Sequence, residues 1–428
     1  MNKKILLVEP SFPVPRKSKN HKNFLPIGLL KLGAMHKQRG NKVKLIRGNK
    51  NKKEIAKKGK GRWYVPHKVL ITSLFTYWKP YVENCVKHYK DLFKDTYLNP
   101  KIRVGGIYAS LMPEDCKKIK GVDEVFRGVH PEAEKYKPAY KLIEQNPEPL
   151  DYQIVHTSRG CPRKCEFCGT WRIEPEFKTE GSIKDQLVDG KEGVVFYDNN
   201  ILKNPYITDI LEELIELKEE GKIKWCESQS GFDGRVLLEE PELAKKIYKA
   251  GFRYPRIAWD GQFEDKEKIK RQIEILHEGG FDYKDIFLFV LYNWEIPFGE
   301  MEKKRIKCFE WGVQISDCRF RPLDQTHDNY NPQKYAKGQS ENEYYIHTER
   351  GWTDEKIREF RRNVRRQNIC VRFGYDFYSP DFERMKISKE KIRKIRKKLK
   401  QLSSKEKMKD YLEKEDIIYW FPDEKSDL

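Results

Sequence analysis

His156-Thr157-Ser158-Arg159-Gly160-Cys161-Pro162-Arg163-Lys164-Cys165-Glu166-Phe167-Cys168 is the stretch from which the rest of the chain can be read. Its last eight residues have the form C-x3-C-x2-C. If nine cysteines fell at random among 428 positions, this spacing would arise in about 0.4% of chains, which makes it a strong signal. Three thiolates on one tight loop can each ligate one iron of a cubane cluster. The fourth iron then lacks a protein ligand, the condition under which a cluster binds a substrate or cofactor instead of only passing electrons. Zinc is the competing chemistry, with His156 as a fourth ligand beside the three cysteines. Zinc knuckles usually pair C-x2-C with a second pair further away, and this sequence has no second C-x2-C. An electron carrier fits poorly, because carriers commonly use four cysteines per cluster.

Downstream of this loop, short apolar runs alternate with helix-length segments. Strands are expected at 153–157, 193–197, 223–228, 256–259, 286–291 and 313–316, with helices such as 206–220, 242–250 and 264–278 between them. Six such units predict a partial (β/α)6 parallel barrel over 153–325, with its chemistry at the C-terminal ends of the strands. Upstream, the polar, Pro-rich segment 131–152 (Pro131, Pro138, Pro147, Pro149) reads as a linker. Residues 1–130 show the same alternation, with strands at 5–8, 43–46, 69–74, 102–104 and 122–126 and a helix opened by Pro26 and closed by Gly40. That pattern predicts a doubly wound parallel sheet of Rossmann-like type. The Lys-, Gly- and Asn-rich run 50–60 reads as a solvated loop. The last section, 326–428, is expected to be basic and mostly helical. Residues 354–366 and 386–400 carry the helical pattern, the second with Ile392, Ile395 and Leu399 on one face and Lys and Arg on the others. The fold class is therefore α/β: a Rossmann-like sheet, a partial barrel and a basic C-terminal region.

The string 156–168 closely resembles the cluster loop of radical S-adenosylmethionine (SAM) enzymes. The Ser-Arg-Gly-Cys-Pro at its centre resembles the subgroup with an N-terminal cobalamin-binding domain. The resemblance covers 151–325 well and 1–130 more loosely. It implies that Cys161, Cys165 and Cys168 ligate a [4Fe–4S] cluster whose open iron chelates SAM. One-electron reduction from an external donor would then release a 5′-deoxyadenosyl radical. It implies further that Phe167 packs near the SAM adenine. Strand-end polar residues would contact the SAM: Asn199 and Asn200 after the second barrel strand, then Ser228, Gln229 and Arg235 after the third. The family's usual Gly-Gly-Glu is absent after the second strand, where Tyr197-Asp198-Asn199-Asn200 stands. An ordinary Asx turn and a surface ion pair are the plain alternatives for Asn199 and Arg235. Arg256 and Asp260 flank the fourth strand, and Tyr292 and Asn293 close the fifth. No catalytic residue is assigned.

For the N-terminal section the shared features are 5–10, 26–40, 69–74, Gly105-Gly106 and Pro113-Glu114. They imply a cobalamin-type module, and methyl transfer if the cofactor binds. The Asp-x-His-x-x-Gly signature that carries the lower cobalt ligand in many relatives is missing, and His21 is the only imidazole nearby. A fold can be kept without its ligand, so binding and loss both stay open.

Composition bounds the remaining choices. Hydrophobic residues at 38% and aromatics at 13% describe a globular chain. No run of about 18 apolar residues occurs, so no membrane partner is expected. Nine sparsely spread cysteines point to a reducing cytoplasm, not to a disulfide framework. Cys226 and Cys318 are expected as buried small residues on barrel strands. The net charge of +20 suits a nucleic-acid partner, against the plainer reading of a Lys/Glu-rich solvated surface. Aromatics at Tyr344, Tyr345, Trp352, Phe373, Tyr375, Phe377 and Tyr378 are expected to form a small core in preference to stacking bases. The alternative function is a zinc-stabilised nucleic-acid-binding protein without catalytic activity.

Overall fold

A computed structural model describes residues 2–13, 25–56, 64–143, 150–332, 339 and 341–424. His21, Pro147 and Pro149 lie outside the described residues, as do parts of 50–60 and 326–340.

Five short apolar runs form strands β1 (Lys4–Glu9), β2 (Lys42–Arg47), β3 (Lys68–Ser73), β4 (Lys101–Gly106) and β5 (Glu124–Val125). They pair in parallel in the order β2-β1-β3-β4-β5. Side chains alternate across a strand, so β1 feeds both faces of the sheet. Leu6 and Val8 pack with Val82, Val86 and Tyr89 of helix Lys79–Phe93, whereas Ile5 and Leu7 pack with Leu29 of helix Ile27–Gln38. Helices on both faces make the sheet doubly wound, and both faces of its strands are accordingly apolar. The solvated loop expected at 50–60 contains a turn of helix, Lys52–Ile55, held by a capping box between Asn51 and Glu54.

The expected linker packs instead of merely spanning. Its turns Ala133–Lys135 and Tyr140–Leu142 lie against helix Ile27–Gln38, where Ala139 N donates to Leu30 O (3.1 Å) and Lys31 pairs with Glu134 (2.8 Å). Tyr140 joins Leu25, Leu30, Tyr152, Ile154 and Val195 in the core between the two β/α units.

The second unit begins with β6 (Tyr152–Val155). A two-residue hairpin follows, β7 (Ser158–Arg159) with β8 (Lys178–Thr179), and then β9 (Gly193–Phe196), β10 (Trp225–Ser228), β11 (Arg256–Ala258), β12 (Phe287–Tyr292) and β13 (Gln314–Arg319). Six of these form the expected arc, as two three-stranded parallel sheets, β10-β9-β6 and β11-β12-β13. Parallel bridges Cys226 to Phe252 and Phe232 to Ile257 join the halves. One continuous apolar core runs from Val155 and Phe196 through Trp259 and Leu288 to Trp352 and Phe360. The last two place the helix Asp354–Phe373 over the barrel. Thr353 caps its start, and Gly374, at φ +64°, ends it. A separate core of Phe377, Ile395, Leu399, Leu412 and Phe421 holds together the terminal helices Lys389–Leu399 and Lys405–Lys414. No helix among the described residues is long and apolar enough to cross a membrane.

Candidate functional site

The three cysteines follow β6 and β7, on the side of the arc where the parallel strands end. Gly160 is the pivot. Its φ is +76°, and a Cβ there would sit 2.3 Å from Glu176 O, so only glycine fits immediately before Cys161. Gly160 N donates to Glu174 Oε2 (2.7 Å), which ties the loop's start to its return. Asp198, fully buried after β9, accepts from Thr157 N (3.0 Å), Thr157 Oγ1 (2.7 Å) and Ser158 Oγ (2.7 Å). The sequence Tyr197-Asp198-Asn199-Asn200 is therefore more than an Asx turn, because its aspartate anchors the loop from a neighbouring strand.

None of the nine cysteines is disulfide-bonded, and Cys161, Cys165 and Cys168 are half-buried. Cys168 N donates to Cys165 O (3.0 Å), Trp171 Nε1 donates to Cys165 O (3.1 Å), and Arg163 N approaches Cys161 Sγ at 3.4 Å. Burial, and then the neighbouring Cys168, pushes the thiols of Cys161 and Cys165 up from their ordinary range. Among the described residues, no three or more His, Cys, Asp or Glu side chains converge as ligands of one ion. His156 is not gathered with the thiols. It is buried, held neutral by burial and by the charges of Arg159 and Lys31, and stands edge-on to Tyr197. A cubane asks for different geometry, since each thiolate takes a separate corner iron, and the soft, all-thiolate donor set suits it.

A polar layer surrounds the loop. Cys168 Sγ lies 3.4 Å from Thr170 Oγ1, which donates to Asn199 Oδ1 (3.1 Å). Asn200 Nδ2 donates to Asp233 Oδ2 (3.0 Å), as do Arg163 Nε (3.1 Å) and Arg163 Nη2 (3.0 Å). Arg235 Nε donates to Asp233 Oδ1 (2.9 Å). Burial works against ionisation of Asp233, yet Arg235, Asn200 and Arg163 together hold its carboxyl at about 2. Among the described residues, Asn200 Oδ1 and Gln229 Oε1 are buried acceptors without a protein partner. Buried acceptors of this kind call for a donor.

The other expected contacts are distributed differently. Phe167 is half-buried in the turn between Cys165 and Cys168. Ser228 spends its hydroxyl on Gly231 O (2.8 Å), closing the turn after β10. Arg256 is buried at the start of β11 and braces that turn through Ser228 O (2.9 Å) and Glu227 Oε1 (2.7 Å). Asn293, at φ +59°, fastens Tyr345 O and His347 N to the end of β12. Asp260, at the end of β11, is pushed up to about 6 by burial against the charges of Lys304 and Arg235. Of these residues, Arg163, Thr170 and Lys304 carry no signal of their own in the sequence. The anchoring role of Asp198 likewise has no signal in the sequence.

Beside the loop, a crevice of about 710 Å³ separates the five-stranded sheet from the arc. Ile27, Leu29 and Leu70 form its apolar wall, and Gly105 and Gly106 bring bare backbone to it from β4. His156, Arg159, Tyr197 and Asn199 face it from the arc. Ligands of doubly wound sheets occupy such crevices at the carboxyl ends of strands.

No curated protein matches the chain. Among solved structures it is similar to that of the apo, selenomethionine-labelled cobalamin-dependent S-adenosylmethionine radical enzyme OxsB. The TM-score is 0.42 and the identity 13%, over 86% of this chain and 56% of that one. The chain thus spans little more than half the length of that enzyme. Residues 155–295, from the end of β6 to beyond β12, match the radical SAM superfamily, and with the thiol loop they enclose they are a radical SAM domain.

Proposed function

We propose that this protein binds a [4Fe–4S] cluster through Cys161, Cys165 and Cys168, cleaves SAM reductively there with electrons from an external donor, and uses the radical to modify a bound substrate. The observation that carries this reading is the set of three free thiols on one half-buried loop at the strand ends of a six-stranded arc. When bound, the cluster and SAM supply one-electron cleavage chemistry. The chain supplies position and dryness. Asp198 fixes the loop's first turn, and Thr170 with Asn199 orients Cys168. Asn200 accepts from the SAM ammonium through its unpartnered Oδ1. Gln229 and Arg235 meet the ribose and carboxylate, Ser228 shapes the turn that presents them, and Phe167 covers the adenine.

The crevice favours a second, finer reading. Its apolar wall and glycine backbone suit a flat amphipathic cofactor, and cobalamin with methyl transfer is the assignment that fits a neighbouring radical site. His36, His130 and His156 are the imidazoles lining it.

Anaerobic reconstitution with iron and sulfide, followed by reduction with SAM present, tests both readings through 5′-deoxyadenosine and S-adenosylhomocysteine. Deoxyadenosine from the wild type but not from the Cys161/Cys165/Cys168 triple-alanine variant is expected, with activity falling to the uncatalysed background. S-adenosylhomocysteine formed only after cobalamin is added would support methyl transfer. Stoichiometric zinc with no iron uptake would overturn the enzyme reading in favour of the zinc-stabilised binding protein.

A further inference from the structure

Residues 384–400 hold ten basic side chains and one acidic one, a net +9 out of the chain's +20 in seventeen positions. Elsewhere on the surface, lysines tend to sit opposite carboxylates, as in Lys246–Glu212 and Lys224–Glu192. Among the described residues, only Lys391 and Lys394 of helix Lys389–Leu399 find such partners, in Glu415 and Glu390. Lys389, Arg393, Lys397 and Lys400 follow one another at spacings of four, four and three, so they share one face of the helix. All four are exposed and, among the described residues, form no ion pair, while Ile392, Ile395 and Leu399 bury the opposite side. An unpaired basic row of this kind repels itself unless an anion lies along it.

A second feature adjoins the row. Phe373 is 59% exposed, although most of the neighbouring aromatics went into the core: Tyr344, Trp352, Phe377 and Tyr378 are all buried. Its ring stacks on Tyr375 (5.6 Å, 22°), and the guanidinium of Arg396, from the basic helix, lies 4.0 Å from the Tyr375 centroid. Arg396, Tyr375 and Phe373 thus make a stack whose outer aromatic face is open. Cations along a track beside an open ring are the two elements that hold single-stranded nucleic acid, phosphates on the first and a base on the second.

We propose that helix Lys389–Leu399 and the Phe373 platform form a binding surface for single-stranded nucleic acid, a function that goes beyond the radical chemistry and does not depend on it. A fluorescein-labelled 20-nucleotide single strand, titrated with the full-length reconstituted protein over a range of salt concentrations, tests it by anisotropy. The triple variant Lys389→Glu/Arg393→Glu/Lys397→Glu is expected to bind at least tenfold more weakly. Its salt slope should fall by about 2, at roughly 0.7 per lost contact on a single strand. Phe373→Ala should weaken the single strand about tenfold and leave a duplex of the same sequence nearly unaffected, because a paired base cannot stack on the ring. Melting temperature and iron content, unchanged in both variants, separate lost binding from lost folding. Wild-type affinity in the triple variant would overturn the surface. Equal loss of duplex and single strand in Phe373→Ala, or tighter binding to phosphatidylserine vesicles than to the oligonucleotide, would overturn its assignment to single strands.

Discussion

The five-stranded sheet and the six-stranded arc are built from the same unit, a buried parallel strand followed by a helix, yet they treat polar groups differently. In the sheet, the two faces of β1 are filled by Leu6 and Val8 on one side and Ile5 and Leu7 on the other. In the arc, each of the first three strands ends in a buried polar atom without a partner among the described residues: His156 Nδ1 after β6, Asn200 Oδ1 after β9 and Gln229 Oε1 after β10. Leaving such atoms unsatisfied costs about 1–3 kcal/mol each. The arc thus carries the polar demand around the thiol loop, while the sheet offers the crevice an apolar wall and glycine backbone.

The sharpest way to break this contrast is at Asp198, whose carboxylate accepts three hydrogen bonds from Thr157 and Ser158. Asp198→Ala leaves those donors buried and unpaired, a local loss of about 4 kcal/mol, at the upper end of single substitutions. Iron retained per chain after reconstitution should drop about tenfold, since the loop loses its anchor before its thiols are touched. Full iron loading in this variant would mean that the cysteine loop holds its shape without the neighbouring strand.

Leu6→Ala probes the opposite region. Leu6 is fully buried between β1 and helix Lys79–Phe93, and truncation there should cost about 3–4 kcal/mol. Below the unfolding transition, measured by circular dichroism, the variant should take up iron like the wild type. A parallel fall in iron loading would show that the sheet and the site are one cooperative unit.

What was legible from the sequence follows the same division. All eleven strands expected in the two units are present, because apolar runs of three to six residues between helix-length segments have few other places to go. The cysteines were legible because their ligand spacing lies within one loop. Of the layer around them, Asn199, Asn200 and Arg235 were legible as strand-end polar residues, but their pairings were not. Arg163 and Asp233 are seventy positions apart, and Thr170 meets Asn199 across twenty-nine; only the closure of the arc brings such pairs together. The helical turn at Lys52–Ile55 had a readable signal, Asn51 followed three residues later by Glu54, and it was hidden by the surrounding lysines. Phe373 was hidden for another reason, since its neighbours in sequence do enter the core. A period of aromatics does not say which ring the fold leaves outside.

The smallest expected effect lies at the end of β1, where the sheet makes its own exception. Burial pushes the Glu9 carboxyl up to about 7 against the opposing charge and hydrogen bond of Arg47, with which it is ion-paired. Between the unfolded value near 4.5 and about 7, the folded chain holds a proton that the unfolded chain has released. Stability from this group therefore falls as pH rises through that window, and above it the buried carboxylate carries its full cost. A rise from 4.5 to about 7 corresponds to about 3 kcal/mol. Glu9→Gln keeps the shape, stays neutral and gives up the Arg47 pair, so a net gain of about 2 kcal/mol is expected at pH 8 and none at pH 4. Urea titrations of both proteins at pH 4, 6 and 8 should show a flatter pH profile for the variant. If wild type and variant instead keep a constant difference across the three, the ion pair with Arg47 balances burial, and Glu9 titrates in the folded chain as it does in the unfolded one.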